Sequence, residues 1–86
     1  MRVKIDHKAN AAYVRVLDGA VARTEAMSDQ IILDYDDRGN LVGVELLDID
    51  DGVDLAEVLS ADLAVQIERL LSEANIRTSS LRVAGD

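Results

Sequence analysis

The chain contains no cysteine, which excludes a disulfide framework, a thiolate metal site and a cysteine nucleophile together. Aromatic residues are almost as scarce. Tyr13 and Tyr35 are the only two, too few and too dispersed to stack the bases of single-stranded nucleic acid. Packing in a core or an interface is the work expected of them. His7 is the single histidine; it sits in a polar segment beside Asp6, where nothing holds it against an activated hydroxyl, so a Ser-His-Asp arrangement is not indicated. Gly19, Gly39, Gly43, Gly52 and Gly85 are scattered and none opens a helix, so no phosphate-cradling loop is present. Basic residues number nine against seventeen acidic ones, a formal net charge of −8, whereas duplex DNA and anionic membrane surfaces are bound through Lys and Arg. No apolar run exceeds four residues, far short of the ~18 that span a bilayer, and the first residues lack the basic-then-apolar layout of a secretory signal. The expectation is a cytoplasmic protein that binds neither nucleic acid nor membrane.

What the chain does have is aliphatic mass. Val, Ile and Leu number 27 and Ala 11, too many for a disordered acidic segment. A length of 86 residues predicts a single domain over residues 1–86. Its first half, residues 1–50, alternates apolar and polar residues in short runs broken by turn residues, the pattern of an antiparallel β-meander of four to five strands. The runs are residues 2–6, 11–17, 21–27, 31–36 and 41–47. Asp18-Gly19 reads as a hairpin signal, and Asp37-Arg38-Gly39-Asn40 as a hairpin loop with Gly39 supplying positive φ.

After Leu47 the period lengthens to that of a helix. Leu55, Val58, Leu59, Leu63, Ile67, Leu70, Leu71 and Ala74 fall on one stripe, with Glu57, Asp62, Glu68, Arg69 and Glu73 off it. The spacing predicts one amphipathic helix over 54–75, opened by an Asp54/Glu57 capping box or restarted at Ser60, and closed by Asn75. In the tail, residues 76–86, Leu81 and Val83 alternate with polar neighbours and are candidates for an extra edge strand. The expected fold class is α+β, with the helix packed on one face of the meander.

One string of residues carries a resemblance. Asp6, Ala12-Tyr13-Val14-Arg15-Val16, Thr24-Glu25, Ser28-Asp29, Ile32-Leu33-Asp34-Tyr35-Asp36, Gly39 and Leu41-Val42-Gly43-Val44-Glu45-Leu46-Leu47-Asp48 together resemble the bacterial family called domain of unknown function 2283, over roughly residues 1–50. The resemblance implies a small β-rich fold with a trailing helix and brings no assigned activity.

Two acidic segments are candidates for hard cations. Asp34 to Glu45 matches the calcium loop of an EF-hand at its first, third, sixth and twelfth positions, but alternating flanks and Arg38 at a ligand position make it a β-hairpin instead. Asp48, Asp50 and Asp51 form an acidic connector that a helix N-terminus accommodates without a metal. With Asp34 and Asp36 they are the only metal-ligand candidates, and no cofactor is indicated.

The second face of the sheet says more. If Val14, Val16, Val42, Val44 and Leu46 meet the helix, then Tyr13, Ile32 and Leu47 lie opposite, mixed with Arg15, Asp34 and Glu45. A half-apolar face marks an interface more often than a small-molecule site. The expected function is a protein-interaction or homo-oligomerising module without a catalytic site, a two-fold dimer first. Its interface would be Tyr13, Ile32 and Leu47, or an edge strand carrying Leu81 and Val83. The rival readings are a divalent-ion binder or metal-dependent enzyme using the acidic loops, and an antitoxin-like acidic partner of a cognate basic protein.

Overall fold

The computed structural model describes residues 1–78. Five strands, β1 (Arg2–Asp6), β2 (Ala11–Arg15), β3 (Arg23–Ala26), β4 (Ile31–Tyr35) and β5 (Leu41–Leu47), precede a 3₁₀ turn at Ile49–Asp51 and one helix, α1 (Ala61–Glu73). All the strand pairings are antiparallel, so the fold is α+β as the periodicity indicates. The neighbour order departs from a simple meander. It runs β1-β2-β5-β4-β3, so Asp18-Gly19 does not close a hairpin but lies in the loop that carries the chain from β2 to the far edge. Composition explains the placement. β5 alternates Val42, Val44 and Leu46 and all three are buried, which suits the central position; every residue of β3 is exposed, which suits an edge.

The core lies between one sheet face and the helix layer. Ala12, Val14, Ile31, Leu33, Val44 and Leu46 from the strands meet Ile49, Val53, Leu55, Ala64, Ile67, Leu71 and Ile76. The helix is shorter than its apolar stripe predicts. Ser60, in an extended conformation, accepts the Leu63 N–H through its hydroxyl and opens α1. Asp54 instead caps a preceding turn by accepting the Ala56 N–H. The apolar residues ahead of Ser60 pack from this connector: Val53 and Leu55 are wholly buried, whereas Leu59 and Leu63 are only half-buried. Asn75, at φ 63°, closes the helix as expected, with Ile76 N–H donating to Leu71 and Asn75 N–H to Ser72; this is the Schellman arrangement. Beyond it Thr78 forms a parallel bridge with Val53. Leu81, Val83 and the rest of the proposed edge strand lie outside the described residues.

The β4–β5 loop is the hairpin that the sequence predicts. Asp36 accepts the backbone N–H groups of Arg38 and Asn40 on one carboxylate oxygen and the Asn40 side-chain amide on the other. These bonds, that of the Asn40 N–H foremost, hold its carboxyl below the usual carboxylate value. Gly39 adopts φ 83°, with nothing within 4 Å of where a Cβ would stand. Backbone conformation alone therefore sets the cost of a side chain there, and Gly39→Val is expected to lower the unfolding free energy by ~1 kcal/mol or more in a urea titration. Unchanged stability would mean that the loop does not need the left-handed conformation.

Candidate sheet-face interface

With the helix layer covering one face, the other face of the sheet is left open, and the strand register fixes what stands on it. Cross-strand partners share a face, so the residues form levels across the strands. The first level reads Arg2, Arg15, Gly43, Asp34, Thr24 from β1 to β3; the second Lys4, Tyr13, Glu45, Ile32, Ala26; the third Asp6, Ala11, Leu47. A bulge between Asp34 and Tyr35 ends the regular face beyond the first level. Tyr13, Ile32 and Leu47 thus share the open face, and all three are half-buried by their neighbours alone.

A hydrogen-bonded bridge spans four strands at the centre of this face. The Tyr13 hydroxyl donates to Asp34 Oδ2 at 2.8 Å, and the Thr24 hydroxyl donates to Asp34 Oδ1 at 2.7 Å. Tyr13 is on β2 and Asp34 on β4, so the ring must cross the intervening β5. Gly43 allows it: a Cβ on Gly43 would overlap the phenol oxygen and Cζ of Tyr13. The missing side chain is the channel through which the ring reaches its acceptor. Burial of the phenol, and then its bond to the Asp34 carboxylate, push the Tyr13 hydroxyl above its usual pKa, so it remains a donor at neutral pH. Arg15 adds a cation 5.7 Å from the centroid of the Tyr13 ring.

The charges on this face are sorted. Arg2, Lys4 and Arg15 stand on β1 and β2; Asp34 and Glu45 stand on β4 and β5, with Asp6 at the end of β1. Three cations and three carboxylates on the strands cancel here, with Asp18 of the following loop paired to Arg2 at 3.4 Å, on a chain whose net charge is −8. An open hollow of about 490 Å³ at the β1–β2 rim is lined by Lys4, Asp6, His7, Lys8, Tyr13 and Glu45 among others.

The acidic candidates are not gathered. Asp34 belongs to the tyrosine bridge and Asp36 to its own loop. The Asp48–Asp51 connector is held through its backbone: Gln30 donates its side-chain amide to the carbonyls of Leu47, Asp48 and Gly52, Asn10 accepts the Asp50 N–H, and Arg77 donates to the Asp50 carbonyl. Among the described residues no group of three or more His, Asp or Glu side chains is placed to hold a metal ion, and no helix is long and apolar enough to cross a membrane.

Sequence reasoning put Tyr13, Ile32 and Leu47 on one face but missed the Tyr13–Asp34–Thr24 bridge. The available signal was Gly43, the one glycine interrupting the alternation of an otherwise bulky strand. Comparison with curated proteins and with solved structures found no match. A family model described as "Protein of unknown function (DUF2283)" matches residues 2–49, a span that includes all five strands and the whole open face; the chain belongs to this family.

Proposed function

We propose that the chain is a protein-interaction module that self-associates through the open face of its sheet. The observation that carries this reading is the character of that face: half-apolar, uncovered by the helix layer, and electrically balanced on a strongly acidic chain. Two copies of a −8 chain repel one another over most approaches, but the strand residues of this face bring no net charge to the contact. Burying Tyr13, Ile32 and Leu47 supplies the apolar contribution, at about 25 cal/mol per Å² removed from water. A small domain without a disulfide also gains stability when a second layer covers its sheet.

Sedimentation equilibrium over a micromolar concentration series tests this. The wild-type chain is expected to run as a concentration-dependent dimer. The Ile32→Lys variant should shift towards the 9.3 kDa monomer. A monomer at every concentration and salt level would overturn the reading and favour a different partner protein for this face.

A further inference from the structure

The geometry points to one arrangement of the two copies: open face on open face, about a two-fold axis parallel to the strands and running between β2 and β5. This deepens the self-association reading and rests on it. Rotation about such an axis keeps every residue at its level along the strands and exchanges the sides. The β1–β2 half of each copy therefore lies over the β5–β4 half of the other. The first half carries Arg2, Lys4 and Arg15, with Asp6 at its far end and the exposed Asp18 paired to Arg2 at 3.4 Å, and the second carries Asp34 and Glu45. Basic meets acidic twice, because the contact is isologous.

The levels make the pairing specific. On the first level Arg2 falls over Asp34 of the second copy, with Arg15 beside it. Asp34 has capacity for this: a carboxylate offers about four lone-pair positions, and Tyr13 and Thr24 occupy one on each oxygen. On the second level Lys4 falls over Ile32, its methylene stem lying on the apolar side chain and its ammonium reaching towards Asp34 and Glu45 of the second copy. On the third, Ala11 falls over Leu47. Aligned sheets pack with their strands crossed by about 30°, so each residue meets its level of the partner rather than a single atom.

The other closed arrangement, a two-fold axis across the strands, superposes each strand on its own copy. It sets Lys4 on Lys4 and Glu45 on Glu45 at the middle level, where like charges facing each other are repulsive, and leaves Arg2 over Asp6 at the ends as its only opposite-charge contact. The sorting of charge between the two halves is what distinguishes the two axes. A random scatter of the same residues would not.

Charge exchange between two variants tests the axis. Variant one carries Arg2→Glu and Lys4→Glu; variant two carries Asp34→Lys and Glu45→Lys. Because Asp34 also holds Tyr13 and Thr24, Glu45→Lys alone serves as a third chain that leaves the bridge intact, and circular dichroism checks that each chain is folded. Each variant by itself is expected to dimerise about tenfold or more weakly than wild type. An equimolar mixture of the first with the second should recover a heterodimer well above either homodimer, since the altered halves are complementary again; the third, which keeps Asp34, is mixed instead with a chain carrying Lys4→Glu alone and should recover in the same way. Variants that weaken without recovery on mixing would overturn the axis while leaving the open face as the interface. Variants that dimerise as wild type would overturn the use of this face, and a monomeric wild-type chain would overturn self-association itself.

Discussion

Ile67→Ala is expected to lower the unfolding free energy by about 2–5 kcal/mol, with Leu71→Ala close behind. Both side chains are fully buried. They project from the only described α-helix into the core shared with the strands and with Val53 and Leu55. The cost combines the lost transfer energy of the deleted groups with the cavity left behind. Against the ~5–15 kcal/mol that stabilises a typical domain, either variant approaches the threshold for folding at all. Gln66→Ala, on the exposed side of the same helix, should stay within about 0.5 kcal/mol of wild type. Urea denaturation at one fixed chain concentration reads all three, because any self-association would otherwise shift the midpoint. Similar losses at Gln66 and Ile67 would mean that the helix seats on the sheet by its other face.

Gly43→Val should cost about 1–3 kcal/mol, and for an unusual reason. Its backbone has no left-handed φ, so conformational freedom is not at issue, and valine ordinarily suits a strand. The space for its side chain is filled instead by the Tyr13 ring. Valine must expel that ring, which breaks the 2.8 Å bond to Asp34 and forfeits the packing over β5. Removing the ring first reverses the logic. In a Tyr13→Ala background Gly43→Val should be nearly neutral or stabilising, so a double-mutant cycle should return an interaction of ~1 kcal/mol or more between the two positions. The same loss in both backgrounds would show that the ring is not what forbids a side chain there.

Much of this architecture is readable from the residues. Alternation in Ile31–Tyr35 and Leu41–Leu47, with Asp36 and Gly39 between them, specifies the hairpin and both of its faces, because period two and turn chemistry are local properties. Neighbour order is not local. Alternation says that Val14 and Tyr13 point oppositely but not that β5, rather than β3, lies beside β2; that choice is made by which strand has enough apolar surface to sit in the middle. The start of the helix is ambiguous in the residues for a related reason. Asp54 and Ser60 are both competent caps, and the decision falls to the tertiary packing of Val53 and Leu55. The tyrosine bridge joins residues 21 positions apart and exists only through the register of four strands.

The assignment of the open face meets its most direct test in isotope-filtered NMR on a dimer mixed from labelled and unlabelled chains. Intermolecular contacts are expected from the methyl groups of Ile32 and Leu47, and from the Tyr13 ring, to the open face of the other copy, with none from Val65 on the outer side of the helix. Contacts arising instead from Val65, or from Val21 and Met27 beside the β3 edge, would place the association elsewhere and contradict it.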